Sequence, residues 1–196
     1  MTLHNVITIV SGLPRSGTSM MMKMLDAGGL GAITDNVRKA DLDNPKGYYE
    51  FEIVKKIKED SSWIAGTQGK AFKMVAPLLR YLPKEFQYQI VFMRREMKEM
   101  LESQNKMLER LGQPSRGFSD EKMADLFSKQ LAELDPWLDQ QENVRVLKVT
   151  YNDVLAGPVD QVRRVAEFIE QDLDTRNMLD IVDPSLYRNK WHSCIP

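Results

Sequence analysis

Four short apolar runs punctuate the chain: Asn5–Ser11, Ala71–Ala76, Tyr88–Met93 and Val144–Thr150, each rich in Val, Ile or Phe. Apolar runs of this length predict strands buried on both faces. Between them the apolar spacing changes to three and four. From Met97 to Leu111, the residues Met97, Met100, Leu101, Leu108 and Leu111 share one helical face. A second helix is predicted from Ser119 to about Gln140, with Met123, Leu126, Phe127, Leu131, Leu134 and Leu138 inward. Asp120 and Glu121 in its first turn complement the dipole, and Pro136 is expected to kink or end it. Gly157-Pro158 closes one element and opens another, whose inner stripe is Val162, Val165, Ala166 and Ile169. Strands alternating with helices predict an α/β fold over residues 1–196 as one domain: a mostly parallel sheet with helices on both sides, in three layers.

One stretch has no clear period. Gly28 to Tyr49 is rich in Gly, Asp and Asn, and a loop this long in a compact domain is expected to face substrate. The methionines at 20, 21, 22 and 24 are expected to fill core.

Charge narrows the choice of partner. The 27 Lys and Arg nearly balance the 28 Asp and Glu, so no global basic field exists for nucleic acid or an anionic membrane. Any anion site must be local. No run reaches a membrane span, and the first residues read as a strand rather than a leader. The one cysteine, Cys194, supports neither an internal disulfide nor a zinc cluster, and such usage suits a reducing cytoplasm.

The local site is written between the first strand and the helix after it. Gly12-Leu-Pro-Arg-Ser-Gly17-Thr-Ser19 has P-loop spacing, which predicts backbone N–H groups and a helix N-terminus turned on an anion. Pro14, Arg15, Ser16, Gly17, Thr18 and Ser19 are the candidate ligands. Thr18 stands where a P-loop lysine would be, and the cation sits earlier, at Arg15. The third strand ends in arginines, where a magnesium-holding acid would be expected, so no metal is expected. Arg95 at that end and Ser103 on the following helix form a second candidate site on the same rim. Two anion sites suggest one ligand with two anionic groups.

"SGLPRSGTS" resembles the 5′-phosphosulfate loop of sulfotransferases, and "RREMKEMLES" resembles their 3′-phosphate motif, an arginine and a serine eight apart. "DNPKGYYEFE" and "VTYNDVLAGP" are similar to stretches of bacterial sulfotransferase-like proteins, the second to their "YEDL…P" element. The resemblance implies a P-loop-like fold and 3′-phosphoadenosine 5′-phosphosulfate (PAPS) as co-substrate, with Arg95 rather than Arg94 in the arginine's role and Arg15 as a catalytic candidate placed to bridge phosphate and sulfonate. The acceptor would be a small molecule or glycan bearing a hydroxyl or amine. Asn152 replaces the glutamate of the fourth element, and "DPSLYRNKW" stands where the cytosolic enzymes carry a glycine-rich loop.

Glu50 is the candidate general base, by resemblance to branches in which glutamate does this work; capping the next helix is the alternative. Glu52, Asp43 and His192 are weaker candidates, and His4 lies at the chain's start. Lys73 places a charge inside an apolar strand, so it either contacts the transferring group or snorkels from the sheet edge. Tyr48, Tyr49 and Trp63 read as acceptor pocket or as core. A P-loop kinase or hydrolase, and a non-catalytic nucleotide-binding protein, are the competing readings.

Overall fold

Each predicted apolar run forms a strand. The computed structural model describes residues 6–35, 47–113 and 119–183. Strands β1 (Val6–Gly12), β2 (Ala71–Val75), β3 (Gln87–Arg94) and β4 (Val144–Thr150) build one sheet in the order β2-β1-β3-β4. All its pairings are parallel. Such a sheet needs cover on both faces, which explains strands that are apolar throughout rather than alternating.

The two faces are packed differently. On one, Val10, Val91 and Val149 meet the helices α1 (Thr18–Ala27), α4 (Tyr151–Ala156), α5 (Pro158–Ile169) and α6 (Thr175–Ile181). Met21, Met22 and Met24 are fully buried here, as core filling requires. On the other face, Ile9, Phe72 and Ile90 meet α3 (Asp120–Asp139) and apolar residues of three short 3₁₀ turns. These turns, Glu52–Lys56, Ser62–Thr67 and Ala76–Tyr81, serve where longer helices would be usual. The layers are therefore helix, sheet, and a mixed layer of helix and turns.

Several sequence expectations change in detail. Pro136 does not end α3, which continues to Asp139. The carbonyl that loses its hydrogen bond belongs to exposed Ala132, where water can serve it. Leu126 on α3 is 46% exposed and Leu111, just beyond α2 (Met97–Arg110), is 53% exposed. The fully buried side of α2 is instead Glu99, Met100, Leu101 and Ser103, because only its first half packs against the rim of the sheet. Helix α6 carried no strong periodic signal; Asp174 caps it, and Met178 packs so closely on Gly28 that a Cβ there would lie 2.8 Å from its Cγ. No helix among the described residues is long and apolar enough to cross a membrane.

The topology selects one place for a ligand. The chain leaves β1 for β2 on one side, then crosses to β3 on the other, so connections diverge at the carboxyl ends of β1 and β3. Such a divergence opens a crevice. Gly12 lies opposite Met93 in the register, so the glycine loop and Arg95 share that crevice.

Candidate functional site

Backbone geometry comes first. Gly12 (φ 153), Arg15 (φ 67) and Gly17 (φ 98) take positive φ, curling Gly12–Ser19 into a turn that ends at the first residues of α1. Arg15 does so without being glycine, an outlier of the kind that concentrates at functional sites. Gly17 is required for a second reason: a Cβ there would sit 2.5 Å from the ring of Tyr151. As N-cap it supplies no side chain, so the leading N–H groups of α1 are left to face the crevice.

The hydroxyls divide. Thr18 and Ser19 line the crevice, and Ser19 Oγ donates to the Tyr48 carbonyl (3.2 Å). Ser16, expected as a ligand hydroxyl, is 1% exposed and donates to the Leu13 carbonyl (2.7 Å). Its hydroxyl closes the turn and packs so near Gly12 that a Cβ there would lie 2.5 Å from it.

The second cluster is contiguous with the first. Arg95 Nη1 donates to the Arg15 carbonyl (3.2 Å), and Arg15 Nε donates to Ser103 Oγ (2.9 Å). The two sites expected to be separate thus form one belt, since β1 and β3 are neighbours and α2 rises directly from β3. Arg94, by contrast, turns to Asp135 of α3 (2.5 Å), so of these two neighbours it is Arg95 that lines the crevice.

Behind Arg95 lies a group that sequence reading missed. Glu99 Oε2 accepts from Arg95 Nε (3.1 Å) and from Asn152 Nδ2 (3.1 Å). The Arg95 and Glu99 side chains are 8% and 2% exposed, and the guanidinium lies 4.5 Å from the Tyr151 ring centre. Burial pushes the Tyr151 phenol above its ordinary range, against the lowering effect of the Arg95 charge. The clue was present: Arg95 and Glu99 are four apart at the start of a helix, a spacing that pairs side chains.

The opposite wall comes from β2 and the chain before the first 3₁₀ turn. Lys73 donates to the Tyr48 carbonyl, and its Nζ lies 3.9 Å from Glu50 Oε1. Both side chains are mostly buried and both line the crevice. The 3₁₀ turn has Phe51 as N-cap and no side-chain cap, so Glu50 does not cap it. Asp35 serves there instead, its Oδ2 accepting from the Glu52 N–H (2.6 Å). Tyr48 lines the crevice, whereas Tyr49 (φ 52) donates to Asp26 (3.2 Å). Burial and the Asp26 charge push the Tyr49 phenol up to about 12. Trp63 stacks edge-on with Phe51 and Phe72 and is core. Phe51, not singled out from the sequence, lines the crevice with Val54, Met74, Val75 and Leu78.

The crevice measures about 650 Å³ and takes residues from both walls, among them Arg15, Glu50, Lys73, Arg95 and Ser103. The loop, Lys73, Glu50, Arg95 and Ser103 are therefore brought together. Glu52 also reaches the rim, where it pairs with Lys55 (2.6 Å). His4, Asp43, His192, Cys194 and all of "DPSLYRNKW" beyond Asp183 lie outside the described residues. No cluster of potential metal ligands is present among the described residues.

Comparison with known proteins agrees on the family. The profile described as "Sulfotransferase family" matches residues 32–175, a span that includes Glu50, Lys73, Arg95 and Ser103 but begins after the glycine loop. No curated protein sequence matches. Among solved structures, the chain resembles the sulfotransferase domain of a Synechococcus olefin synthase, with TM-score 0.56 and 14% identity over 96% of this chain and 89% of that one. It also resembles a mouse sulfotransferase complexed with PAP, with TM-score 0.57 and 16% identity over 91% of this chain and 63% of that one. A third likeness is sulfotransferase STF9 from Mycobacterium avium, at TM-score 0.51 and 12% identity over 92% of this chain and 67% of that one. At these identities the structural likeness speaks for the fold, and the profile match carries the family. The chain belongs to the sulfotransferase family.

Proposed function

We propose that the protein transfers a sulfuryl group from PAPS to a hydroxyl or amine of a small-molecule or glycan acceptor. The observation that carries this reading is the continuous belt from the start of α1 through Arg15 to Ser103 and Arg95. One end of that belt suits a 5′-phosphosulfate and the other a 3′-phosphate. The structural neighbours complexed with PAP, the mouse enzyme and a retinol dehydratase, support the same donor.

In the reaction, the acceptor oxygen or nitrogen attacks sulfur in line as the bond from sulfur to the bridging phosphate oxygen breaks. The electron pair of that bond leaves with the nucleotide phosphate, whose growing charge the loop N–H groups and the α1 N-terminus stabilise. Pro14 and Gly17 hold the loop's shape, and Thr18 and Ser19 add hydroxyl donors. Glu50 takes the acceptor proton. Lys73 lies beside both Glu50 and the Tyr48 carbonyl that Ser19 also contacts, within reach of the transferring sulfonate. Arg15, expected to bridge phosphate and sulfonate, donates from Nε to Ser103, so we assign it instead to the α2 side, with Arg95 and Ser103, at the 3′-phosphate end of the belt. Charge-assisted hydrogen bonds of this kind contribute about 1.5–3 kcal/mol each.

Calorimetry with adenosine 3′,5′-bisphosphate in chelator tests the reading. Binding without magnesium is expected, with adenosine 5′-monophosphate at least about tenfold weaker. Equal affinity for the two nucleotides, or a preference for magnesium-ATP, overturns it.

A further inference from the structure

Arg95 has two tasks that conflict unless something aims it. Its guanidinium must support the loop through the Arg15 carbonyl and also face the crevice, yet its side chain is 8% exposed and lies against the Tyr151 ring. An arginine in such a place needs an anion, and Glu99 supplies one at 3.1 Å. Glu99 is itself 2% exposed and held from a third element, since Asn152 at the start of α4 donates to the same oxygen. One carboxylate oxygen therefore joins the end of β3, the first turn of α2 and the first turn of α4. A planar guanidinium with Nε fixed has its remaining donors fixed as well.

We propose that Glu99, braced by Asn152, is a positioning residue that aims Arg95 at the donor's 3′-phosphate and keeps the loop backbone in register with it. The inference rests on the donor reading above and adds to it an assignment for two residues that touch neither donor nor acceptor. It also gives Asn152 a reason. A carboxylate at that position would stand against the Glu99 carboxylate in a buried place, whereas an amide completes its hydrogen bonding.

Orientation and charge make opposite predictions here. If Glu99 acted only through its charge, removing it would leave the crevice more positive and phosphate binding tighter. If it acts by aiming Arg95, an apolar replacement weakens binding and an isosteric amide, which keeps an acceptor for Nε, largely preserves it.

The test measures affinity for adenosine 3′,5′-bisphosphate and adenosine 5′-monophosphate, with thermal midpoints alongside. Glu99→Leu is expected to lose about ten- to a hundredfold for the bisphosphate and little for the monophosphate, while Glu99→Gln stays within about threefold of wild type. Asn152→Asp, which sets two carboxylates together, is expected to weaken the bisphosphate at least about tenfold. Adding Glu99→Gln to it restores a single negative charge and most of the affinity. Glu99→Gln alone separates the two accounts even if Glu99→Leu fails to fold: tighter binding of the bisphosphate than in wild type is the outcome of charge alone and overturns the positioning role. Wild-type affinity in Asn152→Asp, an equal loss for both nucleotides, or no recovery in the double variant overturns the positioning role and leaves the donor reading intact. Failure of the wild-type protein to favour the bisphosphate sinks the donor reading first, and this inference with it.

Discussion

The two walls of the crevice are built by opposite strategies. On the β1–β3 side, the anion belt is locked by short hydrogen bonds, two of them local and one joining neighbouring strands: Ser16 on Leu13, Glu99 on Arg95, and Arg95 on Arg15. On the β2 side, Glu50 and Lys73 come from distant segments and stand 3.9 Å apart, sharing the neighbourhood of the Tyr48 carbonyl. Under the proposed donor reading, a nucleotide presents the same charges in every turnover, so a rigid cradle suits it. The opposite wall has a looser charged pair and apolar lining at Phe51, Val54, Met74, Val75 and Leu78, and under the same proposal it is where acceptors would differ.

That contrast can be broken most directly by one pair of variants. Glu50→Gln is expected to cut turnover by about two to four orders of magnitude while nucleotide affinity stays near wild type. Arg95→Ala is expected to do the reverse, weakening adenosine 3′,5′-bisphosphate by about ten- to a hundredfold. Steady-state rates and calorimetry on both variants separate the walls; normal turnover in Glu50→Gln removes it as the base.

A smaller effect probes how rigid the cradle is. Gly17→Ala forces a Cβ onto Tyr151 at a residue with φ 98. A loss of about 2–3 kcal/mol is expected, a thermal midpoint lower by roughly 5–10 °C. An unchanged midpoint would mean that the turn yields.

The smallest effect concerns the outer edge of the acceptor wall. The Tyr49 phenol is raised to about 12, so the folded protein favours its neutral form. Its contribution to stability is whole below the unfolded value near 10 and is lost as pH rises through 12. The thermal midpoint of wild type, relative to Tyr49→Phe, is expected to fall between about pH 9 and pH 12. A constant difference would contradict the Asp26 contact.

What could be read in advance follows the same division. The strands were legible because a parallel sheet buried on both faces forces apolar runs, and the loop because P-loop spacing is local. Arg95 and Ser103 were legible because α2 directly follows β3. Their merging with Arg15 was not, since which strands are neighbours is a matter of topology rather than spacing. Glu99 escaped because an acid on a helix reads as surface, and only the packing of α2 against the rim buries it. The same packing explains Leu111, apolar by period yet 53% exposed, because nothing covers that end of the helix among the described residues. For the acceptor wall, Glu50 and Lys73 could be named but not joined: their meeting depends on how the chain before the 3₁₀ turn lies along β2.

One fastening on that wall reaches further. Thr34 and the Asp35 N–H both donate to the Glu50 carbonyl, and the Asp35 carboxylate accepts from Glu52, so the chain leaves and returns through a single knot. Positions 35 and 50 are thereby pinned to each other, and changing the length of chain between two pinned ends costs only slowly growing closure entropy. Length changes between these two positions would then leave the Glu50 carboxylate in its place beside Lys73.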